Sequence, residues 1–444
     1  MMADIVPLLS LRYDIDRLSG TLERVIAPPY DVISSEQRAE LAARHPHNVV
    51  RLELPDGDET TKYQRAGELL RQWCDEGVLV RDRSPAFYRY EQTFTDPGRR
   101  GGPTFRRRGF FGLVRLVPFS DGVVLPHERT LSGPKQERLK LLRATSADVS
   151  PGFMLYRDPQ RELDSALENA EPICAFTTPD GVSHSLAVVE RPENIRRVVE
   201  ASRLRTLLIA DGHHRYETAL EYAREVSAAH PGTSDRAEHL FFLTYLVNGD
   251  DAGLVVFPTH RHVHSLSSFS FDTLLTRAAD TFVVGAVPAG ADEDVLLNAL
   301  SRAAGRGPSV LAVVGDGRAA LLTLRGDIDL SAHPTLATQP AVLRRTDVTM
   351  LHAGILERIL GVTPEAQAAK TNVWYRQDVG ASIAELRAGK GDVLFLMNPT
   401  TVAQVRDVAE SGDVMPQKST FFYPKVPTGL LLHTLDPSRM TWGG

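Results

Sequence analysis

Apolar residues recur at helical spacing in several stretches of the chain. Within 59–76 they gather Leu69, Leu70 and Trp73 into one stripe, and Gly77 stands where a helix-ending glycine belongs. Tyr216, Ala219, Leu220 and Ala223 fall at i, i+3, i+4 and i+7, which predicts a helix over 216–228 with one buried face. Another helix is expected from about Lys135, with Leu139, Leu142 and Arg143 along it. A further one should follow Ser34 or Ser35, either of which can cap it, with residues 38–44 inside.

Strand-like stretches lie between these. Residues 86–95 and 109–117 read as the arms of a hairpin, 204–210 as a short buried strand and 392–397 as another. Residues 23–33 read as a strand running into the Pro28-Pro29 turn. The hairpin tip holds five arginines and reads as a solvated tip rather than an anion patch. Asn398-Pro399-Thr400 opens a helix ending near Gly412, and 271–330 alternates helix-like and strand-like pieces of simple chemistry. The pattern predicts a mixed α+β protein in four parts: an N-terminal α/β region (1–150), a core (151–270), a peripheral α+β insertion (271–395) and a C-terminal segment (396–444) that returns to the site.

Composition changes this picture little. The chain has 444 residues, more than one hydrophobic core normally serves, with 42% hydrophobic and 24% charged residues. A formal charge of −6 argues against a nucleic-acid partner, which usually meets a basic field. Cys74 and Cys174 have no metal-like spacing and suggest a reducing compartment. The first residues lack a basic region followed by a long apolar one, and no apolar run of membrane-spanning length occurs, so the cytoplasm is the expected address. Oligomeric state is not legible.

The chemistry concentrates at Ala210-Asp211-Gly212-His213-His214-Arg215. An apolar strand ends, turns at glycine and enters a helix whose first N–H groups are unpaired and whose dipole is positive there. Such a turn is a ready anion site, and His213, His214 and Arg215 add side-chain donors. Asp211 could orient a histidine or hold a cation. A zinc site would need two ligands beyond the adjacent histidines. His127, Glu128 and Thr130 form a second polar cluster after an apolar strand, and Lys135 and Arg138 follow at a helix start. Tyr30 and Asp31 could line a substrate pocket, with a rigid turn as the plain alternative. His260, His262 and His264 alternate, with His260 the candidate site residue. Asn398 opens a second strand-to-helix turn, where an ordinary cap competes with a ligand pocket. Lys418, Ser419 and Thr420 precede an aromatic run that could close over a ligand.

Asp-Gly-His-His-Arg after an apolar strand resembles the signature of the ParB/sulfiredoxin-like fold, where in free serine kinases it serves the phosphate-donor site. The chain as a whole resembles a bacterial family of domains of unknown function, number 1015. That resemblance rests on residues 27–33, 127–131 with 133–135, 210–215, 258–261, and 415–420 with 423–425. The first resemblance implies a ParB/sulfiredoxin-like core around 204–228. It also implies a small-molecule kinase acting on a hydroxyl compound, L-serine first, with ATP, ADP or pyrophosphate as donor and Mg2+ as the usual companion. In those kinases the catalytic carboxylate lies upstream in a short domain. Here the upstream region exceeds 200 residues, so Glu128, Asp31 and Glu53 all remain candidates, Glu128 first. The other readings are a ligand-sensing or DNA-associated regulator, for which no basic face or helix-turn-helix chemistry is found, and a phosphatase or nucleotide hydrolase. Replacing Asp211, His214 or Arg215 by alanine is expected to cost little stability beyond a helix cap, roughly 1 kcal/mol.

Overall fold

Two sheets carry the molecule. The computed structural model describes residues 3–97, 102–130, 132–203, 206–416 and 418–442. Parts of the hairpin tip, Leu131, the first two residues of the expected 204–210 strand and Gln417 lie outside the described residues. The fold is mixed α+β. In the first sheet the strands run Val124–Leu125, Leu207–Asp211, Gly152–Tyr156, Phe241–Asn248, Thr104–Arg115, Phe87–Thr95, Ser183–Val189 and Glu171–Thr177, with Ile5–Val6 also paired to Thr104–Arg115. Leu207–Asp211 is parallel to Val124–Leu125, so the residues just after both strands emerge at one end of the sheet. The second sheet runs Phe282–Ala286, Ala319–Leu324, Ser309–Val313, Val393–Met397, His260–Val263 and Val373–Arg376, every pairing antiparallel.

Both sheets are covered on both faces, as strand alternation requires of wholly apolar strands. In Phe241–Asn248, Leu243, Tyr245 and Val247 enter one core while Phe242 and Leu246 enter the other. In Val393–Met397, Val393 and Phe395 face one layer and Leu394 and Leu396 the opposite one. The helices Lys62–Asp75, Ser132–Thr145 and His213–Ala229 pack in series beside the first sheet. No described helix is long and apolar enough to cross a membrane.

Local signals fixed several elements. Ser34 caps Ser35–Arg44 in a full capping box with Gln37. Lys62–Asp75 buries Leu70 and Trp73, and Gly77 follows at φ 68°. The helix expected from 216 starts earlier, at His213, because its first turn is polar and carries no apolar period to read. Residues 23–33 do not form the expected strand. They make two short 3-10 turns, Leu22–Arg24 and Tyr30–Val32, and Ala27 makes only an isolated bridge to Thr428. The two prolines have no N–H to give a ladder, which is the physical reason.

The solvated reading of the hairpin arginines fails at Arg107. In the strand Thr104–Arg115, Arg106 and Arg108 point outward to Glu91, whereas Arg107 points inward and is fully buried. Its guanidinium lies 4.7 Å from the Phe153 ring centroid and donates to Gln92 Oε1 and to the carbonyls of Tyr423 and Pro424.

Candidate active site

The turn after Leu207–Asp211 passes through Gly212 at φ 92°, a conformation L side chains rarely adopt. A Cβ there would also come within 3.0 Å of Arg215 Nε. The 17-residue helix His213–Ala229 then begins with no side-chain cap, so the turn offers backbone donors at the positive end of a dipole.

Asp211 is the junction of the charged groups. Its Oδ2 accepts from Arg215 at 2.5 Å and its Oδ1 from Lys425 Nζ at 2.8 Å. Burial opposes ionisation of this carboxyl, but the Lys425 ammonium and Arg215 guanidinium outweigh it and hold the group well below the usual range. The cation Asp211 holds is thus the protein's own. Arg215 is itself buried and fully engaged, donating also to Ser150 Oγ at 2.8 Å and to the Pro151 carbonyl. It supplies fixed positive charge beneath the turn.

The histidines are locked as neutral tautomers. His127 Nδ1 lies 2.7 Å from the Ile209 carbonyl, which can only accept, so Nδ1 carries the proton. The bare Nε2 accepts from the Thr420 hydroxyl at 3.0 Å. The backbone N–H of His127 donates to His213 Nε2 at 3.2 Å, which places the proton of His213 on Nδ1. Desolvation pushes His127 down to about 4 and His213 well below its ordinary value. His214 is half-buried and also lowered by desolvation, in the field of Glu217, Asp31 and Lys135.

Glu128 stands next to this pair, its backbone bridged to Met415. Desolvation pushes its carboxyl up to about 7, against the opposing pull of Lys418 and Lys425. No hydrogen bond or ion pair among the described residues occupies its oxygens. Thr130 and Lys135 converge instead on Glu217, each at 2.7 Å from Oε2. Arg138 lies over the Tyr30 ring at 4.2 Å and pairs with buried Glu53 at 3.1 Å. Tyr30, Asp31 and Glu53 all lie within the field of Arg215.

The structure therefore brings Tyr30, Asp31, His127, Glu128, Thr130, Lys135, the 211–215 turn, Lys418 and Thr420 into one region. It builds others into the frame. His260 lies in the second sheet, its Nδ1 accepting from the Met397 N–H at 3.1 Å. Asn398 donates to Asp347 and Ser419 donates to the Pro416 carbonyl. His262 is buried with no hydrogen-bond partner on either ring nitrogen among the described residues, and His264 stacks on Trp374 at 4.0 Å. Sequence reasoning missed Lys425, Ser150 and Glu217 as parts of the site. Lys425 had a visible signal, being a lysine in the same aromatic tail as Lys418.

Among the described residues no three His, Cys, Asp or Glu side chains converge as a metal site. Both oxygens of Asp211 are taken. Asp31 is exposed and, like Glu128, has no hydrogen bond or ion pair among the described residues.

The mixed α+β fold thus brings together an uncapped helix start, neutral histidines and a raised carboxyl in the field of two lysines. The chain belongs to the family described as a protein of unknown function, DUF1015, whose model matches residues 5–349. Nothing matches among curated proteins. Solved structures similar to it include a conserved hypothetical protein from Pyrococcus furiosus, 14% identical, covering 72% of this chain and 95% of that one at a TM-score of 0.34. A free serine kinase in complex with AMP is 12% identical, covering 72% and 92%, at 0.36. SbnI from Staphylococcus aureus with a C-terminal truncation is 10% identical, covering 73% and 87%, at 0.35.

Proposed function

We propose that this protein is a small-molecule kinase that transfers a phosphoryl group to a hydroxyl compound, L-serine first, from a nucleotide or pyrophosphate. The observation that carries the reading is the uncapped helix start, with Lys425 and buried Arg215 joined at Asp211 beneath it, next to a carboxyl, Glu128, that burial raises to about 7 within the field of Lys418 and Lys425. Phosphoryl transfer asks for little else: positioning, positive charge and a group to take the hydroxyl proton. The likeness of 211–215 to the donor-site motif of free serine kinases supports the same reading.

In this scheme the donor's terminal phosphate sits against the backbone N–H groups of the 211–215 turn, with buried Arg215 and Lys425 supplying charge. Glu128, about half ionised near neutrality, accepts the proton of the acceptor hydroxyl. The oxygen bonds to phosphorus as the donor's bridging P–O bond breaks, and the electron pair leaves on the released phosphate. His127 and His213, being neutral, donate and accept hydrogen bonds without adding charge. Asp31 would be the carboxylate to hold a magnesium ion brought on the donor's phosphates, and that ion would neutralise part of their charge.

A screen of ATP, ADP and pyrophosphate against serine, threonine and simple alcohols, read by 31P NMR for a phosphomonoester, tests the proposal. Phosphoserine should form with at least one donor. Release of inorganic phosphate with no ester from any acceptor would make the protein a hydrolase instead.

A further inference from the structure

The tail strand Phe421–Tyr423 pairs with Val255–Phe257, and its side chains alternate between two environments. Phe422 points inward, buried, edge-on to Phe153 at 5.8 Å and to His127 at 6.2 Å. Phe421 and Tyr423 point the other way, and Lys425 follows two residues on. All three line a cavity of about 450 Å³, which Pro28, Val32 and Asp180 also border. Val32 is 41% exposed, an apolar side chain left uncovered. Lys425 Nζ lies 5.6 Å from the centroid of the Phe421 ring and bonds to Asp211, so the cavity begins where the anion site ends.

This lining is wrong for the smaller candidate ligands. L-serine would occupy a small part of such a volume. Pyrophosphate is charged throughout and gains nothing from two aromatic rings, a proline and a valine. A ligand with a flat, weakly polar body and an anionic end matches both parts: aromatic rings accept a base face, and the lysine at the far end meets phosphate. We propose that the cavity is the subsite for the nucleoside of a nucleotide donor. Its base lies against Phe421 and Tyr423, and its phosphates run past Lys425 to the 211–215 turn. Asp180 provides the carboxylate that accepts ribose hydroxyls. The phosphate end rests on the kinase reading above; the nucleoside end stands on the cavity.

Calorimetry on the full chain with ADP, inorganic pyrophosphate and adenosine separates the two. ADP should bind at least about tenfold more tightly than pyrophosphate. Phe421→Ala and Tyr423→Ala should each weaken ADP by about tenfold or more and leave pyrophosphate within about twofold. Phe421→Trp, which keeps a stacking face, should retain ADP affinity, and an unchanged circular dichroism melt shows that each variant is folded. Equal affinity for ADP and pyrophosphate in the wild type, or equal losses of both in the alanine variants, overturns the nucleoside subsite and leaves the kinase reading standing. Adenosine binding without pyrophosphate binding supports the subsite and removes the phosphate end. Binding of none of the three overturns both.

Discussion

Lys425 donates from Nζ to Oδ1 of Asp211 across 2.8 Å, joining two residues 214 positions apart in the chain. Asp211 carries two cations and would keep one if Lys425 were methionine. In Lys425→Met the carboxyl should rise toward the ordinary range, since burial is then opposed chiefly by Arg215. Pyrophosphate affinity, read by calorimetry, should fall at least about tenfold. Unchanged affinity would mean that Lys425 is a packing residue.

Glu128→Gln keeps shape and removes the charge that takes the hydroxyl proton. Serine phosphorylation should fall on the order of 100-fold or more. A base must be ionised, and desolvation holds this one at about 7, so wild-type turnover should rise as pH increases through about 7 and then level off. The glutamine variant should lack that rise. Near-normal turnover would move the role to Asp31 or Glu53, of which Glu53 is already paired with Arg138.

Arg215→Ala should destabilise the protein far more than loss of a helix cap. The guanidinium is 8% exposed and holds Asp211, Ser150 and the Pro151 carbonyl together. Removing one partner of a buried pair costs roughly 3–5 kcal/mol, against roughly 1 kcal/mol for a cap. Urea unfolding measures it, and a loss near 1 kcal/mol would show the network to be solvated.

Asp148 offers a separate check on burial. It is 5% exposed, and desolvation raises its carboxyl to about 7 from an unfolded value of 3.8. Because the folded value is the higher, the folded state binds more protons between these limits. Stability is therefore full below about 4 and declines as pH rises to about 7. Asp148→Asn lacks this decline. Its melting temperature relative to wild type should increase from pH 4 to pH 8, by at most roughly 4 kcal/mol of stability. A constant difference across that range would place the carboxyl in water.

Arg107→Met removes the clamp on the tail. Arg107 holds the carbonyls of Tyr423 and Pro424, and Gln92 holds that of Lys425 at 3.2 Å. Hydrogen exchange should accelerate in 421–426 well before the first sheet loosens. Combining Arg107→Met with Lys425→Met should lose no more pyrophosphate affinity than Lys425→Met alone, because the clamp acts through that lysine. Additive losses would mean that Arg107 acts on pyrophosphate binding by a route other than Lys425.

What could be read from the sequence was local. The capping box at Ser34, the stripe of Leu70 and Trp73, and the glycine turn after an apolar strand each carry their signal within a few residues. The Asp-Gly-His-His-Arg turn was legible for that reason. The partners of its side chains were not. Ser150 and Lys425 reach it through the packing of distant strands, and no short-range period encodes that. Arg107 shows the same limit at a finer scale. Three successive arginines look alike in composition, and only the strand alternation sends the middle one inward, where two carbonyls of the tail await it.

The hydrogen bonds that close the site span 214 residues from Asp211 to Lys425 and 293 from His127 to Thr420. A ribosome-bound chain that has not yet released Lys425 carries the helix turn and Glu128 but neither the lysine nor the strand that holds it. Its Asp211 then meets Arg215 alone. The constellation is consequently complete only once the chain has been made as far as Lys425 and that segment has packed back beside the first sheet.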